Sequence, residues 1–405
     1  MSRSLPDGPL TGLRVLDLSR VLAGPYCSQA LADMGADVIK VEHPRGGDDT
    51  RRFGPPFVEG ESTYFLSINR GKRSLALDFK RPEGREVLLR LLDQADVLLE
   101  NFRPGALERQ GLDPAACLAR NPRLVYCSVS AFGHAGLPAY SRQPGYDLMV
   151  QGLGGIPSLT GPPEAGPSKV GASIADVVSG MYATQGILLA LIARQTTGRG
   201  QHVDVAMLDG QVSLLTYLAS AWLNAGELPG RLGNRHLSVA PYSTFAAADG
   251  WLNLAVANDA LWRTFTACIE RPDLAADPRF ATNPDRVRNV DALEAALAPL
   301  LATRKVSEWL EIFEAAGVPA GPVLGLDAVL AHPQLAARGM IVDLPHPTVG
   351  RVRTPGPPIG LSDTPPRPRR APPRLGEHTD EILRELGLDA AAIAALRAAG
   401  AIGET

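Results

Sequence analysis

The first third of the chain alternates short apolar runs with longer segments of helical periodicity. Each apolar run is bounded by turn-forming residues, which is the pattern of a buried strand. The predicted strands are 13–18, 36–42, 75–79, 95–101 and 124–130. Helices are predicted at 25–34 and 82–94. Strands that alternate with helices in this way are typical of an open, mostly parallel α/β sheet.

The segments directly after four of these strands are rich in glycine, and three of them also contain both proline and arginine. They are residues 19–25, 43–48, 101–105 and 130–134. Open parallel sheets bind their ligands at the carboxyl ends of the strands. We therefore expect the ligand site of this protein at these four loops.

The pattern changes near residue 225 and again near residue 325. Strands at 242–247 and 251–257, followed by helices, predict a smaller α+β domain at 226–325. The preceding 1–225 form the first part of a large domain. Residues 326–405 are interpreted as a returning segment that completes it, because a proline-rich, extended and poorly self-packing stretch leads there into two final helices at 379–386 and 390–398.

Composition and charge narrow the possible functions. A chain of 405 residues is long for one core, and a net charge of −3 argues against a general nucleic-acid binder. The four cysteines are scattered and the seven histidines show no metal-ligand spacing, so we expect neither a disulfide framework nor a metal. No signal-peptide pattern follows Met1, and the apolar run at 186–193 is too short to span a membrane. We predict a cytoplasmic enzyme.

A single acid, Asp176, stands in the small-residue string "GASIADVVSG" ahead of an apolar helix that we expect to bury most of its surface. Aspartate near a helix start serves as an N-cap, since its oxygen accepts a hydrogen bond from a free backbone N–H. The same carboxylate in a dry pocket would serve as a nucleophile toward an acyl carbon. The local string leaves both roles open.

Several ordered strings together resemble one family, the class III CoA-transferases of the CaiB/BaiF type. The strings are VLAGP at 21–25, ADMGADVIKVE at 32–42, GDDTR at 47–51, NRGKRSL at 69–75, ENFRPG at 100–105, GRGQHVD at 198–204 and LGEHT at 375–379. The resemblance covers nearly the whole chain, and it is more specific for the family than for the substrate.

The resemblance implies a Rossmann-like large domain with a parallel sheet, a smaller α+β domain and an interlocked homodimer. It implies that Asp176 attacks an acyl-CoA thioester and carries CoA as a covalent aspartyl intermediate. The implied partners are a small-molecule acyl-CoA and a carboxylic acid, with coenzyme A as substrate and no metal, nucleic acid or membrane.

The resemblance also implies which residues contact CoA. They are Leu22, Ala23, His43, Leu77, Lys80, Asn101, Phe102, Arg109 and Tyr146. Cationic side chains suit the phosphates of CoA, although His43 and Arg109 also fit ordinary surface positions. Formyl-CoA transferase has glutamine at the position of Leu22, which disfavours a formyl or oxalyl substrate.

Tyr146 separates two activities within the family. Racemases carry a histidine base at this position, and tyrosine is a poor base because its pKa is about 10. The tyrosine favours a transferase over an α-methylacyl-CoA racemase, and His134 in the preceding loop is interpreted as a loop histidine. A non-catalytic CoA-binding member is the third alternative, which the retained Asp176 disfavours.

Other strings look most like the succinyl-CoA-dependent dicarboxylate transferases, such as succinate–hydroxymethylglutarate (glutarate) CoA-transferase. We therefore expect succinyl-CoA as donor and a dicarboxylic acid as acceptor. The distal carboxylate of such an acid needs a cation. The candidates are Arg51, Arg52, Arg235 and His236, each of which also fits a surface charge or ion-pair partner.

Overall fold

A computed structural model gives the structure of residues 8–141 and 143–403. Its strands are β1 Arg14–Asp17, β2 Asp37–Glu42, β3 Phe57–Val58, β4 Glu61–Ser62, β5 Lys72–Ala76, β6 Val97–Glu100, β7 Val125–Ser130, β8 His202–Ala206, β9 Tyr242–Ala246, β10 Trp251–Ala255, β11 Ala320–Pro322, β12 Ile341–His346 and β13 Gly350–Pro355.

The α-helices lie between and after these strands. They are α1 Ala23–Asp33, α2 Thr63–Ile68, α3 Pro82–Leu92, α4 Pro114–Arg120, α5 Pro138–Ser141, α6 Asp147–Leu153, α7 Ile156–Leu159, α8 Ile174–Thr197, α9 Met207–Ser213, α10 Thr216–Ala225, α11 Asp259–Cys268, α12 Pro272–Ala276, α13 Asn283–Arg288, α14 Val290–Leu301, α15 Val306–Ala316, α16 Leu326–Leu330, α17 Pro333–Ala337, α18 Thr379–Glu385 and α19 Ala390–Ala398. Short 3-10 helices occur at Asp49–Arg52, Glu108–Gln110 and Pro278–Phe280.

The central sheet has six strands in the order β5-β2-β1-β6-β7-β8. Every neighbouring pair is parallel. The prediction of an α/β fold with a parallel sheet is confirmed. The chain runs outward from β1 in one direction through β2 and β5, and in the other through β6, β7 and β8. The boundary between β1 and β6 is therefore the topological switch point, where such sheets open a ligand crevice.

Apolar side chains cover both faces of this sheet. On one face Leu88 of α3 and Ile382 of α18 pack with Leu98 of β6. On the other face Leu31 of α1 and Ile187 of α8 pack with Val125 of β7. Because helices occupy both sides, the strands are buried on both sides, which explains why they appear in the sequence as continuous apolar runs.

Two strands of the central sheet differ from the sequence prediction. β5 spans Lys72–Ala76 and not 75–79, because its first residues are charged and yet buried: the Lys72 ammonium lies 3.2 Å from the Asp17 carboxylate. Apolar patterning does not detect a strand whose polar side chains are paired inside the protein. β8, at His202–Ala206, was not predicted; it is a five-residue edge strand whose first three residues are not buried.

The proline-rich stretch is not the poorly self-packing segment that composition predicted. β12 and β13 form an antiparallel hairpin within it, with His346 opposite Gly350. The segment also bonds to the body that carries the large sheet: Arg70 donates to the Pro355 carbonyl at 2.8 Å, and the Gly71 N–H donates to the Arg370 carbonyl at 2.9 Å. Composition describes the loops between these contacts and does not predict the hairpin.

The chain divides into two compact units. The first comprises 1–154, 171–214 and 333–405, and the second comprises 155–170 and 215–332. The second unit has a three-stranded antiparallel sheet, β11-β10-β9, over a core that includes Trp262, Phe265 and Phe313. The predicted boundaries at 225 and 325 stay predictions.

Helix α8 is the long apolar helix of the first unit. Among the described residues it is the one helix long and apolar enough to cross a membrane by length and composition. It buries one face, which includes Ala183 and Ile187, and leaves Leu189 and Ile192 more than 60% exposed. One sequence expectation was wrong, namely that this helix buries most of its surface. The apolar run at 186–193 is only one part of the 24-residue helix. Its packed face is that of a core helix, and the cytoplasmic location stays a prediction.

Candidate active site

A cleft opens at the switch point of the sheet. It is formed by the loops that follow β1, β6 and β7 and by the start of α8. We call it the Asp176 cleft. Its lining residues are Arg20, Val21, Ala23, Asp49, Asn101, Phe102, Arg103, Pro104, Val129, Ser130, Ala131, Gln143, Pro144, Gly145, Tyr146, Asp176 and Met207. Strand-end loops therefore line this cleft, and five predicted site residues lie in it: Ala23, Asn101, Phe102, Tyr146 and Asp176.

Asp176 lies in the first turn of α8 and does not cap it. The N-cap residue is Ser173, which makes no side-chain capping bond. The N–H of Ala175, in the first turn of α8, donates to Asp147 of α6, whose Oδ1 accepts it at 2.9 Å. Because a second carboxylate takes the capping role, that of Asp176 is left pointing into the cleft.

The electrostatic environment of Asp176 disfavours its charge. Burial, and secondarily the nearby charge of Asp147, raise the pKa of Asp176 to about 7. Among the described residues none donates a hydrogen bond to this carboxylate. A partly buried carboxylate that no donor binds keeps its electron pairs available for attack, which suits a nucleophile.

Helix α1 packs directly against the Asp176 end of α8. A Cβ added at Gly180 would lie 2.6 Å from the Ala23 carbonyl oxygen and 3.0 Å from the Tyr26 ring. Gly180 follows Asp176 by four residues, so the two share one face of the helix. The glycine lets the backbone of α1 approach, and this approach places the loop after β1 beside Asp176.

Tyr64 of α2 is close enough to interact electrostatically with Asp176. Burial, followed by the charges of Asp176, Asp147 and Asp48, raises the pKa of Tyr64 to about 12. Its hydroxyl therefore stays protonated and can act as a donor at neutral pH. Tyr64 was not among the predicted site residues, because it lies in a short helix that does not follow a strand of the central sheet.

A second depression, which we call the basic groove, adjoins the first. It is lined by Leu18, Arg20, Lys40, Val41, Glu42, His43, Gly47, Asp48, Leu77, Asp78, Phe79, Lys80, Phe102, Ala106, Leu107, Arg109 and Gln110. Arg20 and Phe102 line both depressions, and the Arg20 guanidinium lies 5.1 Å from the Phe102 ring centroid. Asp176 lies in the first depression, and Lys80 and Arg109 lie in the second together with Asp78.

The structure brings most of the predicted CoA-contacting residues together. Ala23, Asn101 and Tyr146 line the Asp176 cleft, and Phe102 lines both depressions. Four other predicted CoA-contacting residues line the basic groove: His43, Leu77, Lys80 and Arg109. Leu22 lines neither; it is the N-cap residue of α1.

The four residues predicted for a distal carboxylate lie elsewhere and have partners of their own. Arg51 forms two hydrogen bonds with Glu42, at 2.8 and 2.7 Å. Arg52 pairs with Asp49 at 3.1 Å, and Arg235 of the second unit pairs with Glu294 at 2.7 Å.

His236, the fourth, is stacked on Tyr217 with ring centroids 4.9 Å apart. None of the four belongs to the lining of the Asp176 cleft or the basic groove.

Sequence reasoning missed two arginines that do line the Asp176 cleft, Arg20 and Arg103. Both lie within the strand-end segments 19–25 and 101–105, three residues beyond the ends of β1 and β6. Their position after a parallel strand was the available signal, since that edge of the sheet gathers ligand-binding groups. Within 8–141 and 143–403 no group of three or more histidine, cysteine or acidic residues is arranged to hold a metal ion.

Comparison with known proteins agrees with this geometry. The model of CoA-transferase family III matches residues 10–379. The succinate–glutarate CoA-transferase of Agrobacterium fabrum is 43% identical over 387 residues, which is 93% of this chain and 96% of that protein. The succinyl-CoA:glutarate CoA-transferase of Homo sapiens is 38% identical and covers 98% of this chain and 90% of its own. A crystal structure of a CAIB/BAIF family protein from Brucella suis superposes with a TM-score of 0.84 at 44% identity, over 95% of this chain and 100% of that one.

Proposed function

Because this chain belongs to CoA-transferase family III, we propose that it transfers CoA from succinyl-CoA to a small dicarboxylic acid through a covalent intermediate on Asp176. Membership in the family confirms the prediction of a CoA-transferase-type enzyme. The observation that carries the proposal is the Asp176 carboxylate: it lines the cleft, lacks hydrogen-bond donors among the described residues, and has a pKa of about 7.

The first half of the reaction moves CoA onto the enzyme. Asp176 attacks the thioester carbonyl carbon, the C–S bond breaks, and CoA leaves as a thiolate to give an aspartyl–succinyl anhydride. The thiolate then attacks the aspartyl carbonyl carbon and releases succinate, which leaves an aspartyl-CoA thioester. Dividing the exchange into such steps replaces one reaction between a weak nucleophile and a thioester with several easier ones.

The second half reverses this order with the acceptor. The acceptor carboxylate attacks the aspartyl carbonyl carbon and expels CoA thiolate, giving a second anhydride. The thiolate attacks the acceptor carbonyl of this anhydride, which releases the new acyl-CoA and restores the Asp176 carboxylate. Both anhydrides react readily with water, so a partly buried nucleophile protects the intermediates.

The two depressions fit the two parts of acyl-CoA. Lys80 and Arg109 of the basic groove supply positive charge for the phosphates, and His43 lines the same groove. Arg20 and Phe102 lie where the groove meets the Asp176 cleft, so the pantetheine arm passes them to bring the thioester to Asp176. Arg20 and Arg103 add positive charge for a carboxylate inside the cleft. The names of the glutarate transferases support a dicarboxylic acceptor.

Two side chains favour transfer over racemisation. Tyr146 lines the cleft where a racemase would need a base. His134 is the histidine nearest to Tyr146 in the sequence, and it does not line the cleft. Its Nε2 lies 3.8 Å from the Glu100 carboxylate. Neither residue places a histidine base beside Asp176.

We also propose that the protein acts as an interlocked homodimer. Helix α10 of the second unit buries none of its residues, and its exposed apolar side chains include Tyr217, Trp222 and Leu223. In the first unit, α8 exposes Leu189 and Ile192. Apolar surfaces of this kind mark protein interfaces, and a partner chain that winds around both units would cover them.

The function is tested by incubating the protein with succinyl-CoA and a panel of mono- and dicarboxylic acids and measuring new acyl-CoA by mass spectrometry. We expect exchange with dicarboxylates and a loss of at least about 1,000-fold in Asp176→Asn, because the amide cannot form the anhydride. Asp209→Asn, which removes an exposed acid in the first turn of α9, is the matched control and retains activity.

Hydroxylamine added during turnover should modify Asp176 and no other acid, detected by peptide mass. Exchange at normal rate in Asp176→Asn, or epimerisation of a 2-methylacyl-CoA without any exchange, would overturn the proposal.

A further inference from the structure

We propose that Lys40 and Asp48, two fully buried charges beside the basic groove, are positioning residues that hold the loop after β1 in a strained conformation which shapes the wall beside Asp176. The inference rests on the proposed function. It assigns a task to an ion pair that no step of the transfer reaction uses.

The strain is located at Val21. Its φ is 69°, in the left-handed region, where a β-branched side chain collides with its own backbone. Such conformations persist only where the surroundings determine them, and they concentrate at functional sites. Val21 lines the Asp176 cleft, so the strained residue is also a wall residue.

Lys40 and Asp48 bind the loop on either side of Val21. The Lys40 ammonium donates to the Ser19 carbonyl at 2.9 Å and pairs with Asp48 at 2.8 Å. Asp48 in turn accepts the Val21 N–H at 3.3 Å. A chain of charge-assisted contacts thus runs from β2 through Lys40 and Asp48 to the strained peptide.

Two further side chains complete the restraint. Asp17 accepts the Ser19 N–H at 2.9 Å. The Asn101 side chain makes two hydrogen bonds with the backbone of Arg20: it accepts from the N–H at 2.8 Å and donates to the carbonyl at 2.7 Å. Each of the residues 19, 20 and 21 therefore has a backbone group held by a side chain from outside the loop.

The central pair is ionised at neutral pH. Burial lowers the pKa of Lys40, but Asp48, Asp17 and Glu42 together raise it above its ordinary value. Burial raises the pKa of Asp48, but Lys40 and Thr50 bring it down to about 2. Both side chains have no exposed surface, so removing one partner leaves an uncompensated charge inside the protein.

The loop leads directly to the nucleophile. Two residues after Val21, the Ala23 carbonyl faces Gly180, one helical turn beyond Asp176 on the same face of α8. A loop that relaxes at Val21 shifts the wall against which the thioester is held. Displacements of about 1 Å cost on the order of 100-fold in rate, because the reacting atoms leave attack geometry.

The test uses the full-length protein with the pair removed as a unit, because Lys40→Met alone leaves Asp48 unpaired. In Lys40→Met/Asp48→Asn the amide oxygen of the new side chain still accepts from Val21. We expect kcat for succinyl-CoA-dependent exchange to fall about 10- to 100-fold, with KM for both substrates changed less than about threefold. The same two substitutions made in a Val21→Gly background should lower kcat less than about threefold relative to Val21→Gly alone. The reason is that glycine adopts the left-handed conformation without restraint.

The matched control is another buried pair that does not contact the loop, Arg70 and Asp33, whose closest atoms are 2.6 Å apart. Arg70→Met/Asp33→Asn should lower the melting temperature and leave kcat within about threefold of wild type. An inactive wild-type protein would refute the proposed function itself. An active wild type with equal kcat losses in the two double variants, or with no loss in Lys40→Met/Asp48→Asn, would overturn this inference alone.

Discussion

At the scale of single residues, the raised pKa of Asp176 has a consequence for stability that does not depend on its function. The ordinary value is 3.8 and the folded value is about 7. The folded state therefore holds its proton more tightly than the unfolded state. Ionisation destabilises the fold progressively as pH rises from 3.8 to about 7, and the cost is constant above that range.

Asp176→Asn removes this titration. We expect the variant to be more stable than wild type at pH 8 and equally stable at pH 4. Solvent screens the partly exposed carboxyl, so the gain at pH 8 should be about 1–2 kcal/mol, or a few degrees in melting temperature. Thermal unfolding of both proteins at the two pH values measures it. A gain of equal size at pH 4 and pH 8 would contradict the assignment of the shift to Asp176.

Residue-level reasoning selected Asp176 as a candidate but did not identify the groups around it. The small-residue string around Asp176 left a cap and a nucleophile as alternatives, and the structure assigns the cap to Asp147, 29 residues earlier in the chain. No local pattern connects two acids at that separation. The distal-carboxylate candidates stayed unsupported for the same reason: Arg51 and Arg235 have carboxylate partners that only the folded chain brings near.

At the scale of elements, the contact between α1 and α8 depends on Gly180. A Cβ at this position would stand 2.6 Å from a backbone oxygen, which cannot move aside as a flexible side chain does. We expect Gly180→Ala to destabilise the protein by about 1–3 kcal/mol, despite the better helix propensity of alanine. Exchange activity should also fall, because the displaced helix carries Asp176.

Gly152→Ala provides the control for that prediction. Gly152 lies in α6, where a Cβ would meet nothing within 4 Å. The substitution should be neutral or stabilising by up to about 1 kcal/mol. The measurement is thermal denaturation of the two variants and of the wild type. Similar melting temperatures for Gly180→Ala and Gly152→Ala would show that the packing of α1 against α8 does not need a glycine at position 180.

Element prediction succeeded where apolar residues formed the pattern. The strands β1, β2, β6 and β7 lie within two residues of their predicted bounds, since their side chains are buried on both faces. β5 was displaced because its buried lysine and arginine are paired with acids from other elements. The hairpin β12–β13 was hidden by its prolines, which composition alone associates with extended loops.

At the scale of the whole molecule, the exposed apolar side chains of α10 lead to a prediction about assembly. Leu223 is 77% exposed and Trp222 is 52% exposed in the single chain. We expect light scattering after size-exclusion chromatography to give twice the mass of one chain. Trp222→Glu/Leu223→Glu should shift the protein to monomer and reduce exchange, because the added charges would be buried at the interface.

Thr264→Glu adds a charge on an exposed position of α11 and should leave the dimer intact. A wild-type protein that elutes as a monomer at micromolar concentration would refute the homodimer. A double glutamate variant that remains dimeric would show that α10 lies outside the interface.

Local sequence patterns were enough to establish the layered α/β sheet and the family, and they pointed to a ligand site at the strand ends with Asp176 as its reactive acid. The patterns are apolar periodicity, strand-end loops, and strings whose residues are neighbours along the chain. Only the folded chain showed which charged side chains are paired with each other and which line the cleft. Folding paired Lys40 with Asp48 and Arg51 with Glu42, placed Arg103 and the Asp49-paired Arg20 in the cleft, and held Val21 in a conformation that its own side chain disfavours. Such properties depend on groups far apart in sequence, because burial and charge pairing exist only once the chain has folded.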